Sequence, residues 1–306
     1  MLDQIQLQLL KEIADLESIP TGAVNIRANG KAEVRNSTAH IDIIPKEDGS
    51  GIDVKIKPGT KNEIVHIPVV LSQSGLEETV YNDFYVADDC DVVIVAGCGI
   101  DNCGGSDSEH DGIHRFMVGK NAKVRYVEKH FGSGTGKGKR ILNPVTEVHL
   151  GENSVMEMEM TQIKGVDNTK RETKAELDEG ARLVVRERLM THNEQTADSG
   201  YHVALNGAGS SADIVSRGVA RDASQQTLNL GIAGNAESSG HTECDSIIMD
   251  QARILAIPSL EANDPDASLV HEAAIGKIAG DQIIKLMTLG LTEKEAEEEI
   301  ISGFLR

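Results

Sequence analysis

The chain has 306 residues, 30 of them Gly, no Trp and only 3% aromatic side chains. A chain this long buries about three quarters of its unfolded surface without staples, but it lacks the large rings that usually fill a compact sandwich. Its 49 Asp and Glu against 30 Lys and Arg give a net charge of −19, which argues against nucleic acid or an anionic membrane as partner, since both demand basic surface. The first residues show no basic region followed by an apolar run, and no apolar stretch nears the roughly 20 residues of a membrane span. The expectation is a cytoplasmic protein whose four thiols, Cys90, Cys98, Cys103 and Cys244, are reduced.

Leu2, Ile5, Leu9, Leu10, Ile13 and Leu16 recur at helical spacing until Pro20, with Asp3, Lys11, Glu12 and Asp15 on the other face. This predicts an amphipathic helix within residues 1–21, acting as a structural cap. From Gly22 the pattern changes to alternation, in Ala32-Glu33-Val34-Arg35, His40-Ile41-Asp42-Ile43 and Ile52-Asp53-Val54-Lys55-Ile56, broken by Asn-Gly, Asp-Gly and Pro-Gly turns. A unit then repeats: a small polar turn, a small residue, a strand. It occurs at Asp88-Asp89-Cys90, Lys120-Asn121-Ala122, Glu152-Asn153-Ser154 and Glu179-Gly180-Ala181, with weaker copies near Asn206 and Asn235. The period of 27 to 32 residues signals stacked coils, because one coil exposes two edges and an apolar inner face until the next covers them. Residues 22–262 are therefore expected to form a right-handed parallel β-helix.

Residues 263–306 are expected to form a helical subdomain. Ala274, Ile278, Ile283, Leu286 and Met287 predict one helix opening near His271-Glu272 and stopping at Gly290. Thr292 and Glu295 form a capping box for a second, with Ala296, Ile300, Ile301 and Phe304 on its apolar face.

Several stretches carry candidate chemistry. Gly132 to Lys139 resembles a phosphate-binding loop only at first sight: no Gly-x4-Gly-Lys-Ser/Thr register fits, so it reads as a flexible basic loop, and any nucleotide belongs to a partner. Cys90, Cys98 and Cys103, separated by seven and four residues, match neither a zinc pair nor a ferredoxin run. Glu109, His110, Asp111 and His114 follow in a Gly- and Ser-rich bulge. Spacing alone leaves two readings, a loop of ordinary thiols or a secondary metal group of Cys90, Cys103, Glu109, His110 and His114. Cys244 beside Asp245 is a buried filler or a ligand, and about one coil later come His271 and Glu272. Stacking can bring that thiolate, imidazole and carboxylate together, all competent for iron. His40, His66, His130, His149, His192, His202 and His241 stand alone and read as core or surface residues, and the alternating Met156 to Met160 segment reads as packing.

The tail also carries a family likeness. His271-Glu272-Ala273, Gly276-Lys277-Ile278, Gln282, Leu289-Gly290-Leu291-Thr292-Glu293, Glu295-Ala296 and Ile301-Ser302-Gly303-Phe304 resemble the C-terminal signature of the SufB/SufD family of iron–sulfur cluster assembly scaffolds. Ala96-Gly97-Cys98 is similar to the family's Gly-Cys segment, and Glu243-Cys244-Asp245-Ser246 to the Gln-Cys-Asp-Ser motif of its SufB branch, while Val270 stands where that branch has the first Glu of Glu-His-Glu. The resemblance implies a β-helix with a helical tail docked on a SufC-like ATPase, and Cys98 as acceptor of persulfide sulfur from a donor protein. It also implies Cys244, His271 and Glu272 as ligands of iron in a transient iron–sulfur cluster passed on to apo-protein recipients. A homodimer and no catalysis by the chain itself complete that expectation. A carbohydrate-active β-helix is the poorer alternative, since four Phe, four Tyr and no Trp offer few sugar platforms. A plain structural β-helix leaves the cysteine motifs and the tail without a purpose.

Overall fold

The computed structural model describes residues 2–306. The expected parallel β-helix is present: about eight turns of chain stack into a solenoid with two walls, each a ten-stranded sheet, and three helices lie outside it. Wall A runs in space from Lys31–Asn36 through Ala23–Ala28, Lys61–Leu71, Asp91–Asp101, Lys123–Ser133, Val155–Lys164, Arg182–Thr191, Ser210–Ala220 and Ser238–Ile248 to Ala267–Gly276. Wall B runs from Ile41–Pro45 through Gly51–Ile56, Glu77–Val86, Ser108–Val118, the short pair Arg140–Leu142 and Val145–Leu150, then Asn168–Leu177, Thr196–Leu205 and Gln225–Gly234 to Arg253–Ala262. The stacking register reproduces the sequence period. Cys98, His130, Gln162, Leu189, Gly218, Ser246 and Ile275 sit one above another, 27 to 32 residues apart.

The repeated turn marks the corner of each coil. Asp89, Asn121, Asn153, Gly180 and Gly209 hold positive φ there, a conformation that Gly, Asn and Asp tolerate best. The residue that follows, Cys90, Ala122, Ser154, Ala181 or Ser210, is buried, and its small size lets the corner close on the interior. Along the strands, alternation sends one residue in and the next out, as in Arg182–Thr191, where Leu183, Val185, Glu187 and Leu189 are buried.

The ends differ from expectation. The first helix, α1 (Gln4–Ala14), opens on an Asp3–Gln6 capping box and closes at Asp15, whose φ is 54°. It does not cap the first coil. It lies across the outer side of wall A, with Leu9, Leu10, Ile13 and Ala14 packed with Val24, Ile26 and Val70. Gly97 and Gly99 make that approach possible, since a Cβ on Gly97 would stand 2.6 Å from the Ile13 carbonyl oxygen. The first coil is closed instead by antiparallel pairing, Ala23–Ala28 with Lys31–Asn36 and Ile41–Pro45 with Gly51–Ile56.

At the other end His271 and Glu272 do not open a helix. Strand Ala267–Gly276 continues the wall, paired in parallel with Ser238–Ile248, and helix α2 begins only at Gly280, running to Thr288. Local helical propensity yields here to a ladder that satisfies a whole row of backbone groups. Helix α3 (Glu293–Phe304) starts at the expected Thr292–Glu295 capping box and folds back on the outer side of wall A, where Ile301 and Leu305 pack with Val219 and Ile247. Ile284 and Met287 of helix α2, and Leu289 just after it, are exposed. Among the described residues no strand stacks on the last coil, so Arg253–Ala262 and Ala267–Gly276 are edge strands of the two walls.

Candidate functional site

Two groups of charge are buried in the solenoid interior: Arg27 with Glu78 near the first coil, their nitrogen and oxygen 2.7 Å apart, and a longer column further along. In the wall A register, Glu128, Met160, Glu187, Ser216 and Cys244 stack at the same inward position of successive coils. Arg171 reaches across from wall B, donating through Nη1 to Glu128 Oε2 at 2.6 Å, with its Nε 3.7 Å from Glu187 Oε1. Glu187 accepts from Ser199, Tyr201 and Ser216, at 2.5, 3.0 and 2.6 Å. Tyr126 spends its one hydroxyl proton on Glu128 at 2.9 Å, so His114 Nδ1, 2.7 Å from the same oxygen, must be the donor to it. Burial alone would raise Glu128, but Arg171 and His130 hold its carboxyl well below the usual range. Burial opposes the charge on Arg171 too, and Glu128 more than restores it. His110 is depressed to about 3 and His114 to about 4, both chiefly by burial, so both rings are neutral.

Cys244 closes one end of this column, and at the other end Ala96 occupies its register with Cys98 two residues further along the same strand. Cys98 is inward, 6% exposed and directly in register with His130, whose Nδ1 is 3.3 Å from Gln162 Oε1. Burial, then Glu128 and Glu78, push the Cys98 thiol well above its ordinary value. Five strand steps separate it from the coil of Cys244, roughly 24 Å at the ~4.8 Å spacing of paired strands. The column bridges that interval, and none of its three central charges stands out in the sequence. The signal that finds them is register: once the repeats are aligned, Glu128 and Glu187 fall at the offset of Cys244.

At the open end the pleat divides the expected ligands between two faces. Cys244 is inward and 1% exposed, its thiol pushed up to about 12 by burial, Glu187, Asp245 and Glu243. His271 shares that inner face on the last strand, where its Nδ1 is 2.6 Å from Thr242 Oγ1. Glu272, the next residue, faces outward beside Glu243. There His241, Glu243 and Glu272 bring one ligand atom each within 4.8 Å of one another. His241 is therefore not solitary, as the sequence suggested. Its Nδ1 also lies 2.9 Å from Asp213 Oδ1.

The secondary group does not converge. Cys90 is the small corner residue of its coil, donating to the Lys57 carbonyl at 3.2 Å, and roughly 26 Å of extended strand separates it from Cys98. Cys103 is exposed beyond that strand, its thiol 3.3 Å from Asp101 Oδ1. Residues Ser108–Val118 form a strand rather than a bulge, which sends His110 and His114 inward and Glu109 outward to Asn143 at 2.8 Å. The glycine-rich segment after Phe131 is also no free loop, since Gly136 and Gly138 donate to the carbonyls of Asn102 and Gly104 at 3.0 and 3.1 Å. Met156, Met158 and Met160 are buried packing, as expected.

Stacked coils that carry thiol, imidazole and carboxylate groups at one end, with buried charge leading to them, make a support suited to sulfur and a transition metal. The profile of the SUF system FeS cluster assembly, SufBD core domain, matches residues 85–304, and the chain belongs to the SufBD family of iron–sulfur cluster assembly proteins. It is 30% identical over 267 residues to an iron–sulfur cluster assembly SufBD family protein of Methanocaldococcus jannaschii, covering 85% of this chain and 83% of that one. Against one from Archaeoglobus fulgidus the identity is 28% over 260 residues, 85% and 69% of the two chains. Against one from Methanothermobacter thermautotrophicus it is 29% over 259 residues, 83% of this chain. The chain spans 62% of the length of the Methanothermobacter relatives it matches. No helix among the described residues is long and apolar enough to cross a membrane.

Proposed function

We propose that this chain is the scaffold of a SUF-type assembly complex, on which iron and sulfur are joined as substrates into a transient cluster at the open end of the solenoid. The observation that carries the reading is the arrangement of the last two wall A strands. They present a thiol and an imidazole, Cys244 and His271, on the inner face and a His241–Glu243–Glu272 group on the outer face of the same ribbon. Sulfur reaches the end from the inside and iron from the outside. Cys98 is the sulfur acceptor, and because its resting thiol is buried and neutral, acceptance requires α1 or the adjoining coil to open. Soft sulfur, borderline nitrogen and hard oxygen together hold a nascent cluster less firmly than four thiolates would, which suits release to an apo-protein.

In this reading the chain performs no bond catalysis of its own, and a SufC-like ATPase drives the opening. Its dock is the α2–α3 hairpin, whose Ile284, Met287 and Leu289 stand exposed as an apolar face for a partner. A second copy pairs across the open edges, and the complex works in the cytoplasm. Anaerobic reconstitution with ferrous iron and sulfide tests the site. Wild type should develop charge-transfer absorbance, and Cys244→Ser or His271→Ala should abolish it while circular dichroism is unchanged. Cys98→Ser should lose assembly from a persulfide donor but keep assembly from free sulfide. Removing residues 291–306 should abolish co-purification with the ATPase. A Cys244→Ser, His271→Ala double variant that assembles clusters in full yield would place the site elsewhere.

A further inference from the structure

At several places on the outer surface, cations stack on carboxylates of the neighbouring coil: Lys120 on Glu152 at 2.7 Å, Arg115 on Glu147 at 2.9 Å and Arg125 on Glu159 at 2.7 Å. One place does the opposite. On the outer side of wall A, Arg188 stands directly opposite Arg217 in the parallel register, and like charges facing each other across strands are destabilising. Arg217 has Asp245 opposite on its other side, yet its guanidinium turns away, donating through Nη1 to the Phe304 carbonyl at 3.3 Å with the Phe304 ring centroid 5.9 Å off. Arg188 Nε donates to the Arg306 main-chain oxygen at 3.3 Å. Among the described residues, no side-chain carboxylate forms an ion pair with Arg188, Arg217 or Arg306. Arg186, which does pair with Asp213, joins these three in lining a cavity of about 430 Å³ walled further by Glu187, Val215 and Glu243.

Single carbonyl contacts to the tail and the Arg186–Asp213 pair leave donors over on these arginines, and four arginines against two glutamates line one cavity in a chain of net charge −19. We infer that the cavity binds a compact multivalent oxyanion, with clustered carboxylate or phosphate oxygens. The planar guanidinium fork grips either oxyanion through two parallel hydrogen bonds, and an anion between Arg188 and Arg217 turns their repulsion into attraction. The volume lies within the roughly 300–1,000 Å³ range of small-molecule sites. Glu243 belongs both to this cavity and to the His241–Glu243–Glu272 group. A bound anion of this class, being a chelator of hard cations, therefore sits where it can hand a metal to those ligands. That last link rests on the iron reading above, whereas the anion site itself does not.

The test uses the full chain without metal, at low salt, titrated separately with citrate and with inorganic diphosphate by calorimetry. At least one should bind, raise the unfolding temperature and weaken with added sodium chloride. An Arg188→Gln, Arg306→Gln variant, which leaves the Arg217 contact with Phe304 in place, should bind it at least about tenfold more weakly. Without anion, Arg188→Gln should unfold at or above the wild-type temperature, because a like-charge contact is gone. Arg253→Gln, at an exposed arginine on the other wall, should bind as wild type does. Binding of citrate alone assigns a polycarboxylate, and binding of diphosphate alone a polyphosphate. Absence of binding by both, equal binding by the double variant, or an equal loss in Arg253→Gln overturns the inference. Iron plays no part in these measurements, so their failure leaves the iron reading standing, and loss of iron binding in Glu272→Gln leaves this one standing.

Discussion

Replacing Arg171 by Met is the sharpest test of the interior column. The guanidinium is 4% exposed and lies between Glu128, at 1%, and Glu187, at 4%. Removing it strands buried carboxylates, and breaking a buried ion pair from one side costs about 3–5 kcal/mol. The same physics says that the ions together contribute little net stability. A Glu128→Gln, Arg171→Met, Glu187→Gln triple variant should therefore recover most of the loss. The pH dependence gives a second handle. In the wild type the folded Glu128 titrates below its unfolded value, so its contribution is present above about pH 4.3 and is lost as pH falls. Without Arg171, burial raises the same carboxyl, which then destabilises the fold at neutral pH and is relieved on acidification. Urea unfolding followed by circular dichroism at pH 7 and pH 5 should show the gap between wild type and Arg171→Met narrowing at the lower pH. A deficit under about 1 kcal/mol, or one independent of pH, would refute the claim that Arg171 holds the column together.

His110 and His114, depressed to about 3 and about 4 against about 6.5 in the unfolded chain, bind protons only on unfolding over that interval. Stability should thus be fully present above pH 6.5 and fall towards pH 4 by up to about 1.4 kcal/mol per pH unit for each ring. His114→Gln should reduce that slope in urea midpoints measured from pH 7.5 to 5, and an unchanged slope would exclude the ring as its source. Native alkylation should label Cys103 quickly, and Cys90, Cys98 and Cys244 only at the rate of local opening, since Cys103 is the exposed thiol among the four. Mass spectrometry that found Cys98 labelled as fast as Cys103 would contradict its burial.

The coils were legible in the sequence because a corner needs the same chemistry each time it is built. A positive-φ Asn, Asp or Gly followed by a small residue recurs at Asp89-Cys90, Asn121-Ala122 and Asn153-Ser154 whatever the strands contain. The same regularity strips Cys90 of special meaning, since Ala122 and Ser154 fill equivalent corners. Cys244 and His271 were legible as chemistry, but their geometry was not. One residue of parity separates His271 from Glu272, and only a strand, not the helix their local propensity favours, turns that step into opposite faces. Glu128 and Arg171 were invisible for a different reason. Their partners come from other coils, 43 residues away in the chain, and no window along the sequence contains both.

The open end leads to the last prediction. Parallel coils satisfy their backbone only by stacking, and Arg253–Ala262 and Ala267–Gly276 have a neighbour on one side alone. On these edges Ile257 and Ile275 are each 43% exposed, in a position where natural sheets place charge or proline to prevent pairing. Pro258 removes one ladder donor beside Ile257, so pairing with a second copy would rest on these two apolar side chains more than on the backbone. The terminal helices do not supply the cover, for α1 and α3 both lie on the outer side of wall A. Ile257→Lys with Ile275→Glu should therefore convert a dimer in sedimentation velocity to a monomer. Neither side chain is buried in the single chain, so the unfolding temperature of the monomer should not fall on that account. If the double variant sediments as wild type does, copies do not meet at this edge.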